Sequence, residues 1–467
     1  MNREFFAGKK VLVMGLGRFG GGLDTARFAS RAGAKVIVTD LANAEQLGDS
    51  ISRLKKSPNI ELHLAGHSAN DFKQADIVIV NPAVAPDNEF LQLAQQNSKL
   101  LASQIGIFFE LCPATIIGIT GANGKSTTAA LTAHLLRAGL ARRGFKYRQV
   151  WLSGNIGNQP LLTIVDQIAP DDLVVLELSS FQIEQLAQIK KAPQVALLTN
   201  LTPNHLDRYD TFEDYCAAKE NIFKFQDRDG DIPPVLFFNA EDEIGMKWFA
   251  KYKQEGDRSC MKFSAGDVGQ EVREAFPLPG RANLSNLAAA IAVAGYFGVD
   301  DERIKACLPE FKPLPHRLEL VARIDGVTWY NDSKATTPEG AITALEAFDE
   351  PEIIIAGGYD KHVPFDELGK KIARKAKAAV LLGQTAEKIA ASIRKSLRQE
   401  KRRSNLNKPD TKIEIVNSLA EAVECARQIA VSGDIVLLSP ACASYDMFDN
   451  FEHRARQFCE LVKQIRD

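Results

Sequence analysis

The chain has 467 residues, of which 45% are hydrophobic and 25% charged, and its formal net charge is −2 at pH 7. This length predicts more than one hydrophobic core, and we expect three domains in a soluble globular protein. The near-zero charge provides no general attraction to nucleic acid or to an anionic membrane, so neither partner is expected. The N-terminus lacks an apolar signal core, and no apolar run approaches membrane-spanning length, which predicts a cytoplasmic location. Seven cysteines without a CxxC pair indicate neither a disulfide framework nor a zinc site.

The first 107 residues alternate strand-like and helical patterns, which predicts a Rossmann-like domain over 1–107. Strands are expected at 10–14, 35–39 and 77–80, and helices at 23–32 and 90–96. Gly15, Gly17 and Gly20 follow the first strand, and Asp40 ends the second, as in a dinucleotide-binding turn. This motif could hold NAD or another diphosphate, with Asp40 accepting hydrogen bonds from a ribose or a uracil ring. It could also serve only the packing of strand against helix.

The second domain, predicted over 108–313, begins with a phosphate-binding loop. The apolar run 114–117 leads into Gly118-Ile-Thr-Gly-Ala-Asn-Gly-Lys-Ser-Thr-Thr128, which predicts a buried strand, a glycine-rich loop and a helix. Backbone N–H groups and Lys125 would hold the β- and γ-phosphates of ATP, and a hydroxyl from Ser126 or Thr127 would bind Mg²⁺. The strict P-loop pattern has glycine where this chain has Ile119.

Three further residues of the second domain are candidates for the metal site. Glu177 lies in an apolar strand, where a buried carboxylate needs a partner, either Mg²⁺ or a structural ion pair. The stretch 196–209 is predicted to be a strand that leads into a polar loop, in which His205 could be a second metal ligand or an ordinary surface histidine. Lys219 lies on a helix predicted over 212–223, and its sequence context alone indicates a solvated lysine.

The third domain, predicted over 314–467, returns to the Rossmann-like pattern, with strands expected at 327–330, 352–356, 379–382, 412–415 and 434–438. Polar residues follow several of these strands and could converge on one anionic substrate, because strand carboxyl ends form the ligand crevice of an open α/β sheet. They are Asp332, Lys334, Thr336, Lys361 and Ser439. The basic stretch 394–410 is interpreted as a solvated loop, since it lacks interleaved aromatic residues.

The compact form Thr-Gly-x-Asn-Gly-Lys-Ser at 120–126 resembles the Mur ligase and folylpolyglutamate synthase superfamily of ATP-dependent ligases. Asn331-Asp-Ser-Lys-Ala-Thr336 and Ser439-Pro-Ala-Cys-Ala-Ser444 are similar to the D-glutamate-adding members of the Mur ligase family, and the resemblance covers all three domains. It implies an α/β protein with a central P-loop domain of mainly parallel sheet between two Rossmann-like domains. It also implies a monomeric enzyme of cytoplasmic peptidoglycan precursor synthesis that joins D-glutamate to UDP-N-acetylmuramoyl-L-alanine.

The resemblance also implies roles for individual residues. The UDP substrate would be held by Gly15, Gly17, Asp40 and Asn155. ATP would be bound by Gly121, Asn123, Gly124, Lys125, Ser126, Thr127, Asn283, Asn286, Asp332 and Lys334. Two Mg²⁺ ions would be held by Ser126, Glu177, His205 and Lys219, the last as a carbamate formed with CO₂. D-glutamate would be received by Thr336, Lys361, Ser439 and Phe448.

Three other functions fit part of the sequence. A folylpolyglutamate synthase shares the phosphate loop but not a UDP-binding first domain. An NAD-dependent dehydrogenase would use the turn at 15–20 but would leave the phosphate loop unexplained. A nucleotide-sensing scaffold without catalysis would lack the metal-binding residues that Glu177, His205 and Lys219 provide.

Overall fold

The computed structural model describes residues 2–17, 20–54, 57–142, 144–156, 160–204, 208–230, 233–403 and 411–465. It forms two compact units. The first comprises Met1–Asp267 and Asn286–Cys307, and the second comprises Val268–Ser285 and Leu308–Asp467. Three sheets organise the chain, two in the first unit and one in the second. The predicted α/β class is confirmed, and no helix in the described part of the chain is long and apolar enough to span a bilayer.

The first sheet has five parallel strands in the order β3-β2-β1-β4-β5. The strands are β1 (Lys10–Met14), β2 (Lys35–Asp40), β3 (Ile60–Leu64), β4 (Ile77–Val80) and β5 (Leu100–Ala102). The helices around it are α1 (Gly21–Arg31), α2 (Gly48–Leu54), α3 (Ala69–Gln74), α4 (Glu89–Gln96) and α5 (Gln104–Leu111). The apolar central strand β1 is buried from its second residue onward, as expected for a parallel sheet covered on both faces.

The second sheet has six parallel strands in the order β11-β10-β9-β6-β8-β7. They are β6 (Thr115–Thr120), β7 (Val150–Gly154), β8 (Leu173–Glu177), β9 (Val195–Leu198), β10 (Val235–Asn239) and β11 (Ser259–Phe263). The helices that follow them are α6 (Lys125–Leu140), α7 (Leu161–Ile164), α8 (Ser180–Gln188), α9 (Phe212–Lys224) and α10 (Glu243–Glu255). Strand β6 lies where the order reverses, which is the place where open α/β sheets bind ligands.

The third sheet has six strands in the order β12-β13-β17-β14-β15-β16, and only the β12–β13 pair is antiparallel. The strands are β12 (Glu319–Ile324), β13 (Val327–Asn331), β14 (Glu352–Ala356), β15 (Ala376–Leu381), β16 (Lys412–Ile415) and β17 (Ile435–Leu438). The remaining helices are α11 (Gln270–Ala275), α12 (Arg281–Tyr296), α13 (Asp301–Cys307), α14 (Pro338–Leu345), α15 (Asp366–Lys375), α16 (Ala386–Arg403), α17 (Leu419–Ile429) and α18 (Phe451–Gln464).

The interpretation of 394–410 as a loop is wrong over 394–403, because α16 continues to Arg403. Buried Ile389, Ala390 and Ile393 lie at helical spacing on its inner face, and Leu397 packs against the same core. The many charged residues of the stretch concealed this amphipathic helix. Residues 404–410 lie outside the described part of the chain.

Within the first unit, one continuous core of buried apolar side chains runs from the first sheet to the second. A buried carboxylate also joins the two: Asp24 of α1 accepts hydrogen bonds from the Leu162 backbone N–H (2.8 Å) and the Thr163 hydroxyl (2.5 Å) in α7, and from the Gln104 amide (2.7 Å). Burial raises the pKa of the Asp24 carboxyl, and these donors offset part of that rise. The two domains of this unit are therefore held together by polar as well as apolar contacts.

Candidate active site

The phosphate loop, residues 121–124, connects the buried strand β6 to the start of α6 at Lys125. Its shape requires glycine at two positions, because Gly121 has φ 147° and Gly124 has φ 79°. A Cβ atom at Gly121 would lie 2.0 Å from Oγ1 of Thr199, and one at Gly124 would lie 2.2 Å from Oδ1 of Asn286. The loop leads directly into the N-terminus of α6, and a helix N-terminus suits an anion.

Two residues at the end of β9 hold the phosphate loop in place. The Thr199 hydroxyl donates to the backbone oxygen of Asn123 (2.6 Å). The Asn200 side chain accepts from the Asn123 N–H (3.0 Å) and donates to its oxygen (3.1 Å). Neither Thr199 nor Asn200 was predicted to be a site residue. The one feature of the sequence that could have indicated their role is their position at the end of a strand neighbouring β6.

Asn286 supports the same loop from α12. Its Oδ1 accepts a hydrogen bond from the Thr128 hydroxyl at 3.2 Å and lies against Gly124, and the residue is 8% exposed. Asn283, on the same helix, belongs to the second unit and donates its side-chain N–H to the Pro279 oxygen at 2.7 Å. The structure thus places Asn286 behind the phosphate loop.

The cationic and hydroxyl groups predicted to bind phosphate and Mg²⁺ lie at this loop. Lys125 Nζ donates to the backbone oxygens of Gly121 (3.0 Å) and Ala122 (2.7 Å), so its ammonium group is held over the loop. Ser126 and Thr127 begin α6 and are 5% and 8% exposed. This arrangement fits the phosphates of a nucleotide and a hydroxyl ligand for the accompanying cation.

Glu177 ends β8, beside β6, and is 2% exposed. Its Oε1 accepts a hydrogen bond from the Asn155 amide (3.0 Å), whereas its buried Oε2 has no hydrogen-bond partner among the described residues. An unpartnered buried carboxylate oxygen is costly, and a bound cation would offset that cost. The residues present therefore fit Mg²⁺ at this position.

Lys219 is buried, with 2% of its surface exposed, so the interpretation of a solvated lysine is wrong. Helix α9 begins with a capping box between Thr211 and Asp214, and two turns later Lys219 reaches the core face. Its Nζ donates to the Thr120 hydroxyl at 3.3 Å, at the end of β6. Burial, reinforced by the charge of Lys125, lowers the pKa of the Lys219 amine well below its usual range. A neutral amine is the form that reacts with CO₂ to give a carbamate.

His205, the other predicted metal ligand, lies outside the described residues.

In the first domain, Gly15 and Gly17 have φ 93° and 64°. Asp40 fixes this turn, because its carboxylate accepts from the backbone N–H groups of Gly17 (3.0 Å) and Ala42 (2.8 Å). The carboxylate predicted to meet a ligand thus also shapes the loop that would bind it.

In the second unit, Asp332 and Ser439 lie together at the ends of β13 and β17. Asp332 accepts hydrogen bonds from the Ser439 hydroxyl (2.8 Å) and the Leu318 N–H (3.2 Å), and burial raises the pKa of its carboxyl to about 7. The guanidinium of buried Arg454 donates to the backbone oxygens of Ser333 (2.9 Å) and Cys442 (3.2 Å), which ties the two loops together. The sequence analysis did not single out Arg454.

Other residues predicted to receive substrates lie on the surrounding loops. Lys334 is exposed, with Nζ 4.0 Å from the centre of the Phe451 ring, and Thr336 is partly buried. Lys361 is exposed in the loop after β14, which the Tyr359 N–H joins to the Ala443 oxygen at 2.9 Å. Phe448 is partly buried, with its ring edge-on to His453.

Comparison with known proteins assigns each domain. Residues 9–102 match the Mur ligase MurD-like N-terminal domain, residues 119–294 the Mur ligase middle domain, and residues 316–442 the Mur ligase glutamate ligase domain. The UDP-N-acetylmuramoylalanine–D-glutamate ligase of Roseiflexus sp. (strain RS-1) is 39% identical over 98% of this chain and 99% of its own. The enzyme of the same name from Clostridium perfringens (strain 13 / Type A) is 37% identical, covering 99% and 98% of the two chains. The chain belongs to the Mur ligase family.

Solved structures of other Mur ligases share the fold of this family member. UDP-N-acetylmuramate-alanine ligase MurC from Thermotoga maritima aligns with a TM-score of 0.59 at 20% identity, over 98% of this chain and 99% of its own. MurF ligase from Thermotoga maritima, solved in complex with ADP, aligns with a TM-score of 0.57 at 18% identity, over 99% and 97% of the two chains. At this identity the likeness supports the shared three-domain fold and nothing finer.

Proposed function

We propose that this Mur ligase joins D-glutamate to UDP-N-acetylmuramoyl-L-alanine and converts ATP to ADP and phosphate, a step of peptidoglycan precursor synthesis. The proposal is supported by full-length similarity to ligases of that name, at 34–39% identity. The observation that carries it is the cluster at the end of β6: a phosphate loop, an unpartnered carboxylate oxygen on Glu177 and a buried amine on Lys219. We further propose that it acts as a monomer in the cytoplasm.

Mg²⁺, once bound, would neutralise charge on the transferred phosphoryl group. Ser126 and Glu177 would hold one ion, and His205 with carbamylated Lys219 would hold the second. Lys219 is suited to this modification, because burial lowers the pKa of its amine and so favours the neutral form, and because a carbamate supplies the oxygen ligands that Mg²⁺ prefers. The phosphate loop would hold the β- and γ-phosphates through backbone N–H groups and Lys125.

The reaction begins with attack of the terminal carboxylate of UDP-N-acetylmuramoyl-L-alanine on the γ-phosphorus of ATP. The P–O bond to ADP breaks, and an acyl phosphate forms. Lys125 would stabilise the charge that develops on the transferred group. The turn at Gly15 and Gly17, shaped by Asp40, would hold the UDP end of the substrate.

The second step uses D-glutamate, which we place on the third domain at Thr336, Lys361, Ser439 and Phe448. Its neutral amine attacks the acyl carbon, the C–O bond to phosphate breaks, and the amine loses a proton as the amide forms. Lys361 is suited to pair with a carboxylate of the amino acid because its side chain is exposed in the loop after β14. We also propose that Asn283, Asp332 and Lys334 contact ATP.

The direct test is phosphate release with UDP-N-acetylmuramoyl-L-alanine, ATP, Mg²⁺ and each of a panel of amino acids, followed by mass analysis of the product. D-glutamate should support phosphate release and add one glutamyl residue to the UDP substrate. Release that depends on a folate substrate, or release that occurs equally without any amino acid, would contradict the proposal.

A further inference from the structure

The residues that follow β8 and β9, the two strands beside β6, make contacts with the first domain. Strand β8 ends at Glu177 and is followed by α8, whose N-terminus is fixed by a capping box between Ser179 and Gln182. Beyond β9 the chain continues to Arg208. Helix α8 and Arg208 each contact the same short segment of the first domain.

The contacted segment is Val80 to Pro82, at the end of β4. The Gln185 amide of α8 donates to the Val80 oxygen at 3.2 Å. The Arg208 guanidinium donates to the Pro82 oxygen at 3.0 Å. These two carbonyl groups flank Asn81, so the contacts hold its backbone from both sides.

Asn81 in turn lies against the turn that would hold the UDP group. Its side chain is 3.1 Å from the position that a Cβ atom of Gly15 would occupy, and 3.8 Å from the corresponding position at Gly17. Its backbone N–H donates to the Met14 oxygen at 3.2 Å, at the end of β1. A continuous series of contacts therefore joins the UDP turn to Arg208 and to α8, the helix that follows the strand ending at Glu177.

Arg208 is well fixed in this series. Its guanidinium stacks on the Phe181 ring with 3.9 Å to the ring centre, and a nitrogen lies 3.9 Å from the Glu184 carboxylate. Its side chain is 20% exposed. A planar guanidinium suits this combination of stacking and directed donation better than an ammonium group does.

We propose that Arg208 and Gln185 are positioning residues that set the separation between the UDP-binding turn and the phosphoryl-transfer site. This inference rests on the proposed function, in which one substrate is held at the first domain by its UDP end and reacts at the second domain by its carboxylate. The separation matters because a misplacement of about 1 Å at the reacting atoms can cost about 10²-fold in rate. Neither side chain needs to touch the substrate for this role.

The test compares the full substrate with 1-phospho-N-acetylmuramoyl-L-alanine, which lacks the uridine monophosphate and so is not held at the UDP turn. Arg208→Ala should lower kcat/KM for the full substrate about 10- to 100-fold, the range for loss of a charged hydrogen bond, and Gln185→Ala about 3- to 10-fold. For the truncated substrate each variant should match the wild-type protein within about twofold. Arg208→Lys keeps the charge and one donor, and should recover part of the loss.

Two controls separate positioning from general damage. ADP affinity and the melting temperature of each variant should stay close to the wild-type values. Arg228→Ala removes an exposed arginine of the same unit that pairs with Glu255 and Asp257, and it should leave both kcat/KM values unchanged.

Equal losses with both substrates would overturn the inference, because they would place the damage in the phosphoryl-transfer site itself. No loss with either substrate would also overturn it. In both cases an active wild-type protein would leave the proposed function standing. A wild-type protein that releases phosphate with neither substrate would overturn both the proposed function and the inference that rests on it.

Discussion

The lowered pKa of the Lys219 amine predicts how the free energy of unfolding depends on pH. This dependence can be measured without an activity assay. Burial lowers the pKa of the amine in the folded protein well below its usual range, whereas the unfolded chain has the ordinary pKa near 10.5. The unfolded state therefore binds more protons. The free energy of unfolding should rise with pH between the folded-state pKa and 10.5, by up to about 1.4 kcal/mol per pH unit from this residue.

Lys219→Met isolates this contribution, because methionine fills a similar volume and does not titrate. At neutral pH the variant should be more stable than the wild-type protein, and this difference in the free energy of unfolding should narrow as the pH rises towards 10.5. Asp332, whose raised pKa of about 7 weakens stability as pH rises from about 4 to 7, is present in both proteins and cancels in the comparison.

The assay is urea unfolding followed by circular dichroism, in metal-free buffer depleted of CO₂ so that no carbamate forms. If the difference in the free energy of unfolding between Lys219→Met and the wild-type protein stays constant from pH 7 to pH 9, Lys219 has the same charge in the folded and the unfolded protein. That result would contradict a neutral amine in the folded state. Added bicarbonate and Mg²⁺ should then stabilise the wild-type protein more than Lys219→Met, because the variant keeps only the ion held by Ser126 and Glu177.

Other substitutions test other parts of the site. Lys125→Ala should lower kcat by about 10²-fold or more with little change in melting temperature, since it removes a charge that acts on the transferred group; near-normal phosphate release would contradict the ATP site. Gly124→Ala should abolish ADP binding measured by calorimetry, because the new Cβ would lie 2.2 Å from a neighbouring amide oxygen at a positive φ; unchanged affinity would refute this. Lys361→Ala should raise KM for D-glutamate more than KM for ATP, by a factor equivalent to about 0.2–1 kcal/mol for an ion pair at an exposed lysine, and equal changes would place the amino acid elsewhere. Ser439→Ala should cost about 1–3 kcal/mol of stability in urea unfolding, since it leaves an oxygen of the buried Asp332 without its donor; no change would show that the hydrogen bond adds nothing.

The parts of the fold and site that the sequence predicted are those encoded locally. The phosphate loop combines an apolar strand, two glycines and Lys-Ser over about a dozen residues, and the structure places it at the predicted strand end. The three-domain α/β class follows from repeated strand and helix patterns. Strand β3 went unpredicted because none of its side chains is fully buried and its pattern is only weakly apolar.

The parts that the sequence did not predict depend on contacts between distant segments. Lys219 is one of several lysines at helical positions, and only the packing of α9 beside β6 buries it. Asn286 reaches Gly124 across about 160 residues of chain, and nothing in the sequence near either residue indicates this contact. Arg454 is buried by the loops after β13 and β17, which come together only in the folded sheet.

In the proposed reaction the protein activates a carboxylate by transferring phosphate to it. Substrate carrying ¹⁸O in the terminal carboxylate of UDP-N-acetylmuramoyl-L-alanine tests this directly. After turnover with ATP and D-glutamate, the released phosphate should contain one ¹⁸O atom, because the carboxylate oxygen that attacks phosphorus leaves with it. Phosphate without ¹⁸O, formed together with the glutamyl product, would contradict an acyl-phosphate route.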